Sequence, residues 1–183
     1  MATGQFETPL LHAVGLHKTL AGKAVVNGID LACGAGEVLG LLGPNGAGKT
    51  TTLRMCYGYL RADAGSVSIA GHDLKHDPDR ARRLLGVCTQ DDTFDSDFTV
   101  RANLFQTGRY YRPRPENIGA RIDGLLKRFG LDEFADRKPD TLSGGFKRRL
   151  MIARAVVHSP RVVFLEWTVS CARLRLAEAV TPR

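Results

Sequence analysis

Apolar and polar positions alternate clearly over the first third of the chain. Leu11 to Leu16 and Val25 to Leu31 predict two strands, with Ala21-Gly22-Lys23 as the turn between them. Gly34-Ala35-Gly36 breaks the pattern, and the continuous run Val38-Leu39-Gly40-Leu41-Leu42 predicts a buried strand. Thr51 to Cys56 predicts a helix. Ser66-Val67-Ser68-Ile69-Ala70 then alternates like a half-buried strand, between turns at Asp63-Ala64-Gly65 and Gly71-His72-Asp73. Arg80 to Leu85 reads as a short basic helix, and Gly86 to Thr89 as a short strand.

The spacing then changes from two to about 3.6. Thr99 is placed to cap a helix over Val100 to Tyr111, and Arg112-Pro113-Arg114-Pro115 breaks the chain after it. Ile118, Ile122, Leu125, Leu126 and Phe129 recur at helical spacing, and Gly130 is a natural stop. Ser143 can cap a third helix, whose apolar stripe includes Phe146, Leu150 and Ala153 and which Ser159-Pro160 ends. Arg161 to Leu165 predicts a last buried strand. Strands mixed with helices at these spacings indicate an α/β protein.

At 183 residues the length suits one domain with a real core. No apolar run reaches the length of a membrane span, and the first residues carry neither a basic start nor the apolar core of a signal peptide. Cys33, Cys56, Cys88 and Cys171 are too widely spaced for a metal site and read as reduced thiols. Net charge is +7, with basic clusters at Arg80 to Arg83, Arg109 to Arg114 and Lys147-Arg148-Arg149. These suit either an anionic partner or ordinary solvated helix faces. No nucleic-acid-binding module accompanies them, so nucleic acid is not the expected partner.

The candidate chemistry starts where the apolar run at 38–42 ends. Gly43, Pro44, Asn45, Gly46, Ala47, Gly48, Lys49, Thr50 and Thr51 fit G-x-x-x-x-G-K-[ST], the phosphate-binding loop. Glycines let the backbone curl so that its N–H groups face an anion. The following helix offers its N-terminus to the same anion. Lys49 adds a mobile cation for the β- and γ-phosphates, and the Thr50 hydroxyl is suited to Mg²⁺. A second candidate anion site is Leu142-Ser143-Gly144-Gly145, a hydroxyl and open N–H groups at a helix start.

With Gln90 at the end of Gly86-Val87-Cys88-Thr89-Gln90, these two motifs resemble those of the ATP-binding subunits of ABC transporters: Walker A loop, Q-loop and signature, over roughly residues 10–165. Thr89 to Asn103 and Gly108-Arg109-Tyr110-Tyr111 resemble the exporter branch that drives ABC-2 type permeases, with its Nod factor and daunorubicin exporters. The fold this implies is α/β, a P-loop NTPase core with an N-terminal antiparallel β portion and a helical insert carrying the signature. The expected layout is a floppy start over 1–10, the nucleotide-binding domain over 11–165, and a tail over 166–183 that does not follow the family.

The resemblance also implies a mechanism. ATP is held by Gly43 to Thr51 of one subunit and covered by Ser143, Gly144 and Gly145 of a second copy, as a homodimer. Thr50 and Gln90 serve Mg²⁺, and Gln90 also contacts the attacking water and relays nucleotide state to an integral membrane permease. The expected location is peripheral, at the cytoplasmic face of the inner membrane. Expected cargo is a lipo-oligosaccharide or a drug.

The chain departs from the family pattern at two places. Leu20 stands where an aromatic side chain stacks on adenine. After Val162 to Leu165 the family reads Asp-Glu-Pro-Thr, whereas this chain reads Glu166-Trp167-Thr168-Val169-Ser170. Without a gap, Glu166 replaces the Mg²⁺-supporting Asp and Trp167 the catalytic Glu; with one residue lost, Glu166 is the catalytic Glu and the Asp is missing. Either way one carboxylate is gone, and no histidine beyond His158 is available as the later switch residue. The expectation is a truncated or frameshifted core, its C-terminal part missing, that binds ATP and hydrolyses it poorly. A non-transport ATPase of the same class acting on nucleic acid or ribosomes, and a non-functional gene remnant, are the competing expectations. Leu174, Leu176 and Val180 would form a weak amphipathic helix over the exposed sheet.

Overall fold

The computed structural model describes residues 9–91, 94–111 and 117–166. The chain divides into two compact units, one drawn from Met1–Leu84 and one from Leu85–Trp167. Helix predictions at Leu174, Leu176 and Val180 and the break at Arg112 to Pro115 lie outside the described residues, as does Trp167.

In the first unit, β1 (Leu11–Leu20) and β2 (Lys23–Cys33) form an antiparallel hairpin. Its two-residue turn has Ala21 at φ 48° and Gly22 at φ 78°, the double positive φ that matches the twist of the flanking strands. β3 (Ala64–Ile69) pairs antiparallel with β1, and the two-residue β4 (His72–Asp73) pairs with β3, giving the order β2-β1-β3-β4. Gly65, at φ 91°, lies so close to the carbonyls of Val14 and Gly15 that no Cβ fits there. Helix α1 (Lys49–Cys56) packs on β1 and β2. The buried side chains include Leu11, Ala13, Leu16, Val26, Met55, Cys56, Val67 and Ile69. Lys18 joins Asp63 at 2.6 Å, and this hydrogen bond with that from the Thr19 amide lowers the Asp63 pKa. Helix α2 (Pro78–Arg83) closes the unit, beginning at proline, which lacks only an N–H that a first turn leaves unbonded.

One expectation fails here. Residues 37–44, including the apolar run Val38 to Leu42, form no strand, and Val38 and Leu42 are 73% and 83% exposed. A strand satisfies its backbone only through a neighbour, and among the described residues this run pairs with none.

The second unit sets a short parallel ladder beside three helices. β5 (Leu85–Cys88) pairs in parallel with β6 (Val162–Leu165), register Leu85↔Val162 to Cys88↔Leu165. α3 (Val100–Tyr110) starts as expected at Thr99, whose hydroxyl accepts from the Ala102 amide at 3.2 Å. α4 (Ile118–Phe129) ends at Gly130, φ 61°. α5 (Gly144–Val156) completes the set. Val100, Leu104, Ile122, Leu125, Leu126, Leu131, Leu142, Leu150, Ala153 and Val157 make one buried core among the three helices. Cys88, Met151 and Ala155 make a second, where α5 lies on β5.

Candidate functional site

The phosphate-loop residues all belong to the first unit. Gly48 is the N-cap of α1, at φ 81° and ψ 4°. It supplies no side-chain oxygen, so the first-turn N–H groups keep no cap from it. A Cβ at Gly48 would stand 2.5 Å from the Val25 carbonyl oxygen. The loop is therefore seated on β2 at the point where α1 begins. Lys49 folds back over the loop and donates to the carbonyls of Gly43 at 2.7 Å and Pro44 at 2.6 Å.

Two of the three threonines in the first turn of α1 differ in their surroundings. Thr52 is buried and donates its hydroxyl to the Gly48 carbonyl at 2.9 Å. Thr50 is exposed. There is no acidic residue in the first turn. Helix dipole, uncapped amides and the Lys49 ammonium thus carry one sign, which suits a polyphosphate. An exposed hydroxyl beside them suits its magnesium ion. At the tip of the first hairpin, Leu20 is 42% exposed and presents an apolar, non-aromatic surface.

The other candidate residues belong to the second unit. Gln90 is exposed and follows β5 by two residues. Glu166 follows β6 directly and is 7% exposed. Its amide donates to the Cys88 carbonyl at 2.9 Å, which continues the parallel ladder by one bond. Arg148, from the second turn of α5, donates to the Thr89 carbonyl at 3.0 Å and to the Glu166 carbonyl at 3.3 Å. Lys147 places its ammonium 5.7 Å from the centre of the Phe94 ring. Burial pushes the Cys88 thiol pKa up, opposed by the nearby Arg148 and Arg154 charges.

Ser143 is the N-cap of α5 by backbone geometry, yet its hydroxyl makes no capping bond. That corrects the expectation of a side-chain cap. Ser143, Gly144 and Gly145 are all exposed, and a Cβ at Gly144 would meet nothing within 4 Å. The helix start is thus open to an incoming group while Leu142 before it is buried. Phe146 packs against Phe134, ring centres 4.5 Å apart and tilted by 44°, and the Arg149 guanidinium lies over its ring at 5.0 Å.

Two parts of this arrangement were not read from the sequence. Arg148 was one of three basic residues with a solvated face as the ordinary explanation; its two carbonyl partners make it an internal strut. Asn103 carried no assignment. It is buried, accepts from the Asp95 amide at 2.8 Å, and donates to the carbonyls of Asp95, Phe98 and Thr99, so it pins the segment after Gln90 to α3. Its signal was an amide side chain four residues after a helix N-cap, on the buried face.

Comparison with known proteins gives a consistent result. Residues 26–168 match the family described as ABC transporter. The Nod factor export ATP-binding protein I of Burkholderia lata is 46% identical over 151 residues, covering 82% of this chain and 50% of that protein. The protein of the same name from Ralstonia nicotianae is 42% identical over 159 residues, covering 87% and 50%. The chain therefore spans about half the length of the curated relatives it matches. A solved structure of the ATP-binding subunit of an ABC transporter superposes with a TM-score of 0.78 at 26% identity, covering 85% of this chain and 65% of that one. The cbiO1 protein of Clostridium perfringens, described as part of the ABC transporter complex cbiONQ, gives 0.75 at 28%, covering 87% and 65%. Among the described residues no helix is long and apolar enough to cross a membrane.

Proposed function

The chain belongs to the ABC transporter family, and from that premise we propose that it is the nucleotide-binding part of an exporter's ATP-binding subunit. The carrying observation is the loop from Gly43 to Thr51, with Gly48 capping α1 and Lys49 lying across two loop carbonyls. Lys49 exchanges those carbonyls for phosphate oxygens when ATP binds. Amides of the loop and first turn take the remaining phosphate oxygens. Thr50 is the hydroxyl ligand for magnesium, which neutralises phosphate charge.

Ser143, Gly144 and Gly145 present an open helix start, suited to the nucleotide of a second copy in a homodimer. Gln90, exposed at the end of β5, senses the nucleotide and signals to an integral membrane permease of the ABC-2 type. Glu166 is the carboxylate available at the end of β6. Neither Leu165 nor Trp167 beside it is acidic, so one acidic group serves where the family pattern has two, and turnover is slow. The subunit acts at the cytoplasmic face of the inner membrane. The similarity to Nod factor export proteins supports a lipo-oligosaccharide or drug-like cargo.

Steady-state phosphate release by the purified chain at saturating MgATP tests the reading. The expected rate is far below the ~1 per second at which ordinary enzymes begin. Turnover at or above that rate, with an ordinary magnesium dependence, would remove the claim that binding and hydrolysis have come apart.

A further inference from the structure

The signature helix carries a strut that no sequence motif assigns. Arg148 lies in α5 and donates from one terminal nitrogen to the Thr89 carbonyl and from the other to the Glu166 carbonyl. Thr89 immediately precedes Gln90 and follows β5; Glu166 immediately follows β6. The two strand ends are also joined directly, by the Glu166 amide on the Cys88 carbonyl. One planar guanidinium therefore ties the ends of two parallel strands to a helix whose N-terminus is the signature. Its neighbour Lys147 lies over the ring of Phe94, four residues beyond Gln90 in the sequence.

We propose that Arg148 is a positioning residue for ATP hydrolysis: it sets Gln90 and Glu166 relative to the signature helix, so that movement of one is transmitted to the others. The carbonyls it holds are main-chain groups, so their capture fixes backbone and not only rotamers. A fork of two N–H donors holds both strand ends in a single plane, which a lysine ammonium on a flexible stem does not reproduce. Charge-assisted bonds of this kind are among the stronger ones in a fold. The inference rests on the reading above, in which Gln90 and Glu166 serve the nucleotide.

The test uses the full 183-residue chain. Amide hydrogen exchange, MgATP affinity and phosphate release are measured for the wild type, Arg148→Lys, Arg148→Gln, and Lys127→Gln, an exposed α4 residue outside the site, as a control. In both Arg148 variants, exchange at residues 89–91 and at Glu166 should accelerate about tenfold or more, the loss of one charge-assisted bond. Exchange within α3 and α4 and affinity for MgATP should stay at wild-type levels, and residual phosphate release should fall in kcat with KM unchanged. The control should behave as wild type. Unchanged exchange at the strand ends would overturn the proposal. So would full rescue by Arg148→Lys, or acceleration spread evenly through α3, α4 and α5, the mark of a merely structural residue. A wild-type chain that binds no MgATP refutes the function proposed above, and the exchange arm still decides whether Arg148 holds the two strand ends.

Discussion

The Glu166 amide donates to the Cys88 carbonyl at 2.9 Å, so the parallel β5–β6 pairing runs one bond beyond Leu165. Glu166 is thereby fixed as the first residue off β6, at the same end as Thr89 and Gln90 off β5. Its carboxylate is the acidic group the chain retains at this point in the motif. Glu166→Gln is expected to lower residual phosphate release about a hundredfold, the low end for loss of an acid–base group, while leaving MgATP affinity within a few-fold. Trp167→Glu separates the two alignments: phosphate release rises about tenfold or more where Glu166 holds the Mg²⁺-supporting position, and stays unchanged where Glu166 is itself the catalytic carboxylate. A colourimetric phosphate assay and a binding titration on the same samples check both.

Gly48 meets two demands at once, a left-handed backbone and contact with β2. Gly48→Ala would put a Cβ 2.5 Å from the Val25 carbonyl oxygen at φ 81°. The expected cost is ~1–3 kcal/mol of stability together with loss of nucleotide binding. Denaturant unfolding and MgATP titration of the variant provide the check.

In the proposed nucleotide site, Leu20 gives the adenine position an apolar side chain without a ring. Leu20→Tyr is expected to tighten MgATP binding by about 3- to 10-fold, the usual worth of an aromatic contact, and to leave inorganic triphosphate binding unchanged. Equal gains for both ligands would show that the tyrosine acts on the phosphates instead.

His158 supplies a pH signature. Burial lowers its pKa to about 4; the Leu85 carbonyl, which accepts from Nε2 at 3.0 Å, opposes this, and the Arg121 charge adds to it. Tyr111 stacks on the ring at 3.4 Å, and Nδ1 is buried with no hydrogen-bond partner among the described residues. The neutral ring is the folded form. Since the folded pKa lies below the unfolded 6.5, the unfolded chain binds the extra proton between them. Stability from this group is complete above pH 6.5 and is lost as pH falls toward 4, by up to ~1 kcal/mol per unit after discounting for partial solvent access. Denaturant midpoints at a series of pH values should show this slope in the wild type and lose it in His158→Phe.

What was legible in the sequence follows the range over which the determining contacts act. Thr99 caps α3 and Gly130 ends α4 through bonds to residues three or four away, and both were readable. The β1–β2 hairpin was readable from its turn. The apolar run Val38 to Leu42 misled because apolar character marks a strand only when a partner strand lies beside it. Among the described residues it has none. Arg148 was illegible for the complementary reason: its partner Thr89 is 59 positions away, and a basic residue on a helix looks the same whether it meets water or two carbonyls. The phosphate-loop motif stands out in the sequence because it is a short, continuous stretch.

Nucleotide binding by the phosphate loop is best probed by isothermal titration of MgATP into the wild type and into Lys49→Ala. Lys49 bonds only exposed loop carbonyls in the protein alone, so the variant should unfold at the wild-type denaturant concentration. It should bind MgATP at least tenfold more weakly, the loss of one charge-assisted phosphate contact. Equal affinity in the two proteins, or no measurable binding by a folded wild type, would contradict the assignment of Gly43 to Thr51 as the nucleotide site.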